Sequence, residues 1–284
     1  MGTVRLTEGE SGKGCPKHHS ISTISLTRVK DGVFPSLGGA MQSEAVDIYH
    51  STDGGETWIK VASTNDIGSG LPFAGFKRNI TFLNSTTGWI TREFEGNFEP
   101  NLYVTHDGGR TWRQQGLPTP SNARSVVQYS PSGWRYVYSP KFVPWPPKFF
   151  TAQDGIVRFD YQNPDNQSFV VFYATHNGGA TWTPTRPVPV TEAYPLTSHF
   201  VSMNRGWFKH ADALNMTDDG GNNWTPVRVD PLLKGVTQLD FISPELGWAV
   251  RDSGSSGGQG PPMLLRTLDA GRTWVPVPYT IVGQ

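Results

Sequence analysis

Eight letters recur five times along the chain: STDGGETW (51–58), THDGGRTW (105–112), THNGGATW (175–182), TDDGGNNW (217–224) and TLDAGRTW (267–274). Self-similarity at a spacing of tens of residues marks a repeat architecture, and it limits the fold more than composition does. Each octet is entered by a short run rich in Val, Ile, Leu and Tyr, such as VDIYH, NLYVT, FVVFYAT or MLLRT, and is left by another, such as TWIKVA or TWVPVPY. Such runs, bounded by Gly and Asp, read as strands joined by a hairpin turn. In that turn the carboxylates of Asp53, Asp107, Asp219 and Asp269 accept backbone N–H groups, and the glycines supply positive φ. Trp58, Trp112, Trp182, Trp224 and Trp274 each bring a large apolar body to pack between sheets. Asn177 replaces the aspartate, Asn223 the threonine and Ala270 a glycine. Drift of that kind suits scaffolding better than catalysis.

A second frame precedes the octets, an apolar residue followed seven positions later by another that has glycine before it. Phe82 leads to Gly88-Trp89, Phe200 to Gly206-Trp207 and Phe241 to Gly247-Trp248; Leu26 to Gly32-Val33 and Phe149 to Gly155-Ile156 are weaker copies. Two hairpins per repeat give four antiparallel strands, the content of one propeller blade. The expected fold is therefore all-β, a β-propeller with five recognisable blades. A sixth frame, Val127 to Gly133-Trp134, has no octet of its own, so residues 117–148 read as a decorated connection or a degenerate blade. Within them begins KFVPWPPKFF (141–150), a proline-rich aromatic stretch excluded from a central strand. Residues 1–19 read as an N-terminal arm, poorly structured or a closing strand, and residues 20–284 as a single propeller domain.

Composition removes several classes of function. Thirty-two glycines and 23 prolines, scattered along the chain, interrupt any helical stripe. The formal net charge is zero, which argues against a nucleic-acid-binding surface. No apolar run is long enough to cross a bilayer, and the N-terminus has no hydrophobic signal core. The expected compartment is extracytoplasmic, after removal of a signal segment not present in this sequence, with a cytoplasmic protein as the alternative. Cys15 is the only cysteine, so no intramolecular disulfide forms. Its neighbours His18 and His19 lie in the arm, and a metal site needs three or four ligands from a held scaffold. Neither a metal nor a cofactor is expected, and the chain is expected to be a monomer.

The octets, of the form Ser/Thr-x-Asp-x-Gly-x-Thr-Trp, resemble the Asp-box or BNR repeat of sialidases, other glycoside hydrolases and sortilin-type receptors. Their coupling to a preceding Phe frame with Gly-Trp more closely resembles the photosystem II assembly and stability factor family and its bacterial relatives. The resemblance covers roughly residues 20 to 280 and implies a propeller whose Asp-boxes are structural turns. For the assembly-factor relatives it also implies protein binding, often outside the cytoplasm. Sialidases add an arginine triad and a Phe/Tyr-Arg-Ile-Pro segment, and the latter does not occur here.

Propellers bind ligands at the central channel and on the loops around its mouth, so the residues after each Gly-Trp strand are the candidates. Arg92, Arg251 and His210 each stand three after the aromatic of their frame, and Arg158 stands two after Ile156. Gathered on one side of a channel, these groups would bind a carboxylate, a sulfate or an acidic peptide. Trp145 among its prolines suits a protein partner. The expected function is a non-catalytic binding or assembly module for a protein segment or an acidic ligand. The alternative is a carbohydrate-active glycoside hydrolase, with its acid, base or nucleophile drawn from Glu93, Asp160, Asp212 and Asp252.

Overall fold

The computed structural model describes residues 5–7, 20–21, 25–26, 32–40, 43–93, 98–191, 196–210, 212–252 and 262–280. Cys15, His18 and His19 lie outside them, as does most of the Gly/Ser-rich run 251–262. The described residues are all-β, with no α-helix and two short 3-10 turns, Ile67–Ser69 and Pro231–Leu233. They fall into two compact units, residues 1–166 with 175–184 and residues 167–174 with 185–284.

In the first unit β1 (Arg5–Thr7), β2 (Ser20–Ile21), β3 (Ser25–Leu26), β4 (Gly32–Ala40), β5 (Ser43–Ser51) and β6 (Thr57–Ser63) form one sheet in the order β1-β6-β5-β4-β2, with β3 also pairing β4. The arm strand β1 lies parallel to β6; the other pairs are antiparallel. The next sheet runs β10-β9-β8-β7, from β7 (Phe76–Phe82), β8 (Gly88–Glu93), β9 (Asn101–Thr105) and β10 (Arg113–Gly116). Then come an isolated hairpin, β11 (Val126–Tyr129) with β12 (Arg135–Tyr138), and β13 (Lys141–Pro144) and β14 (Lys148–Phe149), which both pair with β15 (Gly155–Gln162). Strand β16 (Ser168–Thr175) enters the third octet and β17 (Thr183–Pro184) leaves it. In the second unit β16 pairs with β18 (Val188–Val190). Two four-stranded antiparallel sheets follow in chain order, β19 (Thr197–Phe200) to β22 (Thr225–Val229) through β20 (Gly206–His210) and β21 (Ala213–Thr217), and β23 (Val236–Phe241) to β26 (Val275–Val277) through β24 (Gly247–Arg251) and β25 (Met263–Thr267).

The Phe-to-Gly spacing of the second frame has a steric cause. Phe82 pairs directly across the hairpin with Gly88, Phe149 with Gly155, Phe200 with Gly206, Phe241 with Gly247, and Leu26 with Gly32. The four phenylalanine rings lie over their glycines so closely that a Cβ there would fall 2.7, 2.7, 2.4 and 2.7 Å from the ring. A ring covering the bare backbone of a cross-strand glycine restores the packing that the missing side chain forfeits. The sixth frame lacks this relation. Val127 pairs with Val137, and Gly133 sits in the hairpin turn with φ +84° and open space around it. Residues 126–138 are thus an exposed two-stranded hairpin, and the proline-rich stretch that follows supplies strands to β15.

The octets are turns, and one serves for all. In the second, Asp107 accepts from the Thr105 hydroxyl (2.8 Å), the Thr111 N–H (2.9 Å) and the Thr111 hydroxyl (2.6 Å). Gly109 donates its N–H to Thr105 Oγ1, and Trp112 closes the turn by donating Nε1–H to the Gly109 carbonyl at 2.9 Å. The buried indole then meets Phe82 edge-on at 6.2 Å. Phe149–Trp182, Phe200–Trp224 and Phe241–Trp274 repeat that contact. A backbone bond ties each of the last four octets to the first hairpin of its sheet, from Gly108 to the Thr86 carbonyl, Gly178 to Gln153, Gly220 to Asn204 and Ala270 to Glu245. Between sheets, the frame tryptophan stacks on the next frame's phenylalanine: Trp89 on Phe149 at 4.9 Å in the first unit and Trp207 on Phe241 at 3.6 Å in the second.

The third octet departs from the scheme. Asn177 accepts from Thr175 and the Thr181 N–H as the aspartates do, and its amide donates to Thr181 Oγ1. The Gly179 carbonyl is taken at 2.8 Å by Nε2 of Gln115, whose Oε1 accepts from Trp89 Nε1. Nε1 of Trp182 is left buried without an acceptor among the described residues.

Three outcomes follow from these contacts. Gly206→Ala lowers the stability measured by urea unfolding by about 1–3 kcal/mol, the usual cost of overpacking; in a Phe200→Leu background the same change costs measurably less, and equal costs would place the conflict elsewhere. Trp182→Phe costs about 1 kcal/mol less than Trp112→Phe or Trp274→Phe, because only the latter two give up an indole hydrogen bond.

The third concerns acid. Hydrogen bonds from Thr57 hold Asp53 below the usual carboxylate range, and those from Asn223 do so for Asp219. For Asp107 and Asp269 burial is the largest single influence and acts upward, but bonds from Thr111 and Thr105, and from Thr273 and Thr267, together outweigh it. A carboxyl depressed in the folded state stabilises fully above its unfolded value, near 4, and loses that contribution as pH falls toward the folded value. The urea midpoint therefore drops progressively below about pH 4, and Asp269→Asn, less stable at pH 7, loses less over that interval.

Candidate functional site

Side chains alternate across a strand, so a shift of one residue decides whether a group is buried. Counted from the frame glycine, Arg92, His210 and Arg251 occupy the fourth following position and are half-buried at strand ends. Arg158 occupies the third. So do Thr91 and Lys209, and all three are buried. Arg158 therefore belongs to the inward set, although the sequence places it beside the others.

Within β15, Arg158 grips Asp160 with a two-pronged fork, Nε to Oδ1 at 2.7 Å and the terminal NH2 to Oδ2 at 2.8 Å. Trp145 adds its Nε1–H to Oδ2 at 2.9 Å and offers its ring to the guanidinium, whose carbon lies 4.9 Å from the ring centroid. The Trp145 N–H donates to the Arg158 carbonyl, which continues the register of β13 on β15 beyond Pro144. The three residues form a closed arrangement in which the buried carboxylate has a donor on each oxygen. A bidentate guanidinium is the strong form of this pairing. Its chemical effect is to hold the 144–147 segment against β15, and it leaves Asp160 committed to the fold.

The remaining candidates occupy strand ends. Arg92 lies over the Tyr103 ring, 5.4 Å from its centroid, beside Glu93, which is also half-buried. In the second unit, His210 accepts the Thr191 N–H at Nε2 (3.1 Å), so that nitrogen carries no proton in this arrangement. Its ring lies parallel to Phe208. Arg251 pairs across the sheet with Val236 and Met263. Asp212 is half-buried and accepts the Asp230 N–H at its carbonyl; Asp252 is exposed and donates its own N–H to the Gly235 carbonyl. The octet residues Asp53, Asp107, Asn177, Asp219 and Asp269 are spent in their turns, and among the described residues no group of three or more His, Cys, Asp or Glu can hold a metal ion.

Two functional-looking groups escaped the sequence reading. Lys77 and Lys209 are almost wholly buried, and their ammonium groups donate to backbone carbonyls: Lys77 to Phe73 (2.7 Å) and Gly75 (2.9 Å), Lys209 to Val236 (3.1 Å). Alternation from Gly206 carries the signal for Lys209, whereas Lys77 depends on the path of the 73–75 loop, which no pattern encodes.

Among solved structures, the chain is similar to the Hadza microbial sialidase Hz136, with TM-score 0.56, 16% identity, and coverage of 90% of this chain and 57% of that one. It is also similar to the GH74 xyloglucanase from Xanthomonas campestris, with TM-score 0.52, 14% identity, and coverage of 90% and 38%. YCF48 bound to D1 peptide matches with TM-score 0.48 and 18% identity over 91% of this chain and 80% of that one. The chain thus spans little more than half of the sialidase and less of the xyloglucanase. No curated protein sequence matches it. Residues 103–114, which hold the whole second octet and the end of the strand before it, match the BNR/Asp-box repeat, and the chain carries that repeat on an all-β, propeller-like fold.

Proposed function

We propose that the chain is a non-catalytic binding module, its repeated sheets the blades of a propeller in which five repeats are legible, and that it recognises a protein segment or an acidic ligand. One observation carries this reading. Among the described residues only two carboxylates are buried, Asp160 and Asp230, and both are occupied by structural partners. Asp160 is held by Arg158 and Trp145; Asp230 caps the 3-10 turn through the Leu232 N–H and lies 3.4 Å from Arg228. A glycosidase needs an acid whose proton affinity is raised, opposite a second carboxylate at a set separation. The carboxyls displaced here, Asp53, Asp107, Asp154, Asp219 and Asp269, all shift downward.

Arg92 and Arg251 are the side chains assigned to ligand contact, because they are partly exposed cations at equivalent strand ends. His210 stands at the same position as a hydrogen-bonding group. Arg158 and Trp145 serve by fixing the loop beside β15. Half-buried guanidinium groups suit carboxylate or sulfate recognition, since the fork supplies direction as well as charge.

The test is a panel of aryl glycosides that includes sialosides, assayed with the intact chain. No turnover is expected on any of them. Turnover that Glu93→Gln or Asp252→Asn abolishes would overturn the binding-module reading in favour of a hydrolase.

A further inference from the structure

The β11–β12 hairpin is the one two-stranded sheet among the described residues, and it obeys none of the rules that govern the others. All eight of its strand residues are exposed, and six of them are Val126, Val127, Tyr129, Tyr136, Val137 and Tyr138. Trp134 at the turn is 71% exposed and Tyr129 is 69% exposed. Local bonds shape the hairpin: Ser130 N–H to the Trp134 carbonyl at 2.8 Å, Trp134 N–H to Ser130 Oγ at 3.0 Å, and Ser125 Oγ to Ser139 Oγ at 3.0 Å across its base. A lone hairpin of this size is marginal in water. Apolar side chains on both of its faces are what a third element would cover.

Its edges point the same way. Among the described residues no strand pairs with the outer edge of either β11 or β12. Natural sheets blunt such edges with proline, lysine or a bulge, and Val126–Tyr129 contains none of these. At the foot of the hairpin a cleft of about 530 Å³ is lined by Phe98, Val137, Tyr138, Lys141, Gln162 and Asn166.

Charge selects the occupant. From Leu117 to Phe150 there is no Asp or Glu, while Arg124, Arg135 and Lys141 are exposed. None of the ion pairs among the described residues involves these three. A second copy of the chain would bring like charges together along the seam. An acidic segment would meet complementary ones, and an extended backbone would satisfy the row of edge N–H and C=O groups.

We propose that the β11–β12 hairpin and the cleft at its foot form a docking surface for an extended acidic segment of a partner protein, which adds as a third strand along a free edge and directs a carboxylate toward Lys141. This rests on the binding-module reading and assigns recognition to residues other than Arg92 and Arg251.

The experiment displays 12-residue peptides, Asp or Glu alternating with randomised residues, against the full chain, and includes a neutral library with Gln at the fixed positions. Binders from the acidic library are expected. Their amide-exchange footprint covers Val126–Tyr129 or Arg135–Tyr138, and the double variant Arg124→Glu/Arg135→Glu weakens them at least tenfold. Val127→Pro or Gln128→Pro, whichever removes an outward N–H of β11, and Tyr136→Pro or Val137→Pro on β12, separate the two edges; loss in at least one variant is expected. Replacement of residues 126–138 by Gly-Gly abolishes binding, with a thermal melt reporting that the remainder stays folded. The proposal is overturned if neither library yields binders, if neutral peptides bind as well, or if binding survives the hairpin replacement. It is equally overturned if a heparin oligosaccharide or anionic vesicles bind while peptides do not. Peptide binding that survives the replacement but is lost in Arg92→Ala or Arg251→Ala would sink this surface and leave the binding-module reading standing.

Discussion

A side chain that is missing sets the stacking of the sheets. At Gly88, Gly155, Gly206 and Gly247 a phenylalanine from the neighbouring strand rests on bare backbone, and any Cβ would collide with its ring. Glycine inside a strand costs roughly 0.5–1 kcal/mol in chain entropy relative to alanine. Burying a phenylalanine contributes about 1.5–3 kcal/mol, so the arrangement comes out favourable. Once seated, each ring becomes a platform. The octet tryptophan of the same sheet meets its edge, and the frame tryptophan of the preceding sheet stacks on its face where that frame has one, as Trp89 and Trp207 do. Enlarging Gly155 or Gly247 would therefore lift a ring that two indoles lean on.

The turns are fitted to that packing. The octet's second glycine approaches the preceding sheet so closely that a Cβ at Gly109 would lie 3.2 Å from Ile48, one at Gly179 2.3 Å from Trp89, and one at Gly271 2.4 Å from Leu214. This glycine, at φ between +82° and +92° in every octet, is present in all five, while its predecessor can become Ala270, at φ +62°. The aspartate is replaceable by Asn177 because the turn needs an acceptor, and the charge only strengthens it. The Gly179 carbonyl, which the Trp182 indole would otherwise find, is taken by Gln115, 64 positions before that glycine and also bonded to Trp89. The stability of one turn is thus coupled to the sheet before it.

Strand content and the two turn types were legible because both depend on local spacing: in four hairpins the phenylalanine faces the glycine six positions after it. The candidate site was legible only in residue type. In the sequence Arg158 follows the apolar residue of its frame as Arg92 and Arg251 do, but its one-residue offset turns it toward Asp160 and Trp145, a difference that period-two alternation carries. The Val127 frame, read from sequence as part of a decorated connection or a degenerate blade, departs from the others for a related reason. Its spacing matches the others, but its pairing register is shifted, with Val137 and not Gly133 opposite Val127. Register is a long-range property fixed by which face finds a core, and a hairpin with no core to find is free to choose another. The burial of Lys77 had no sequence signal, since its partners are backbone carbonyls.

These facts bear on where recognition can reside. Positions that repeat are consumed: the aspartates by their turns, the tryptophans and phenylalanines by stacking, the inward cations Arg158 and Lys209 by a carboxylate and a carbonyl. A group held in that way changes the fold when it changes, so it is poorly placed to evolve a ligand preference. What remains adjustable is what the repeat does not require, the strand-end cations and the segment between the second octet and β15. Within that segment, residues 117–150 carry exposed aromatics, free strand edges and positive charge, with no Asp or Glu among them. In a scaffold whose repeats are saturated by their own packing, specificity has to enter through such departures.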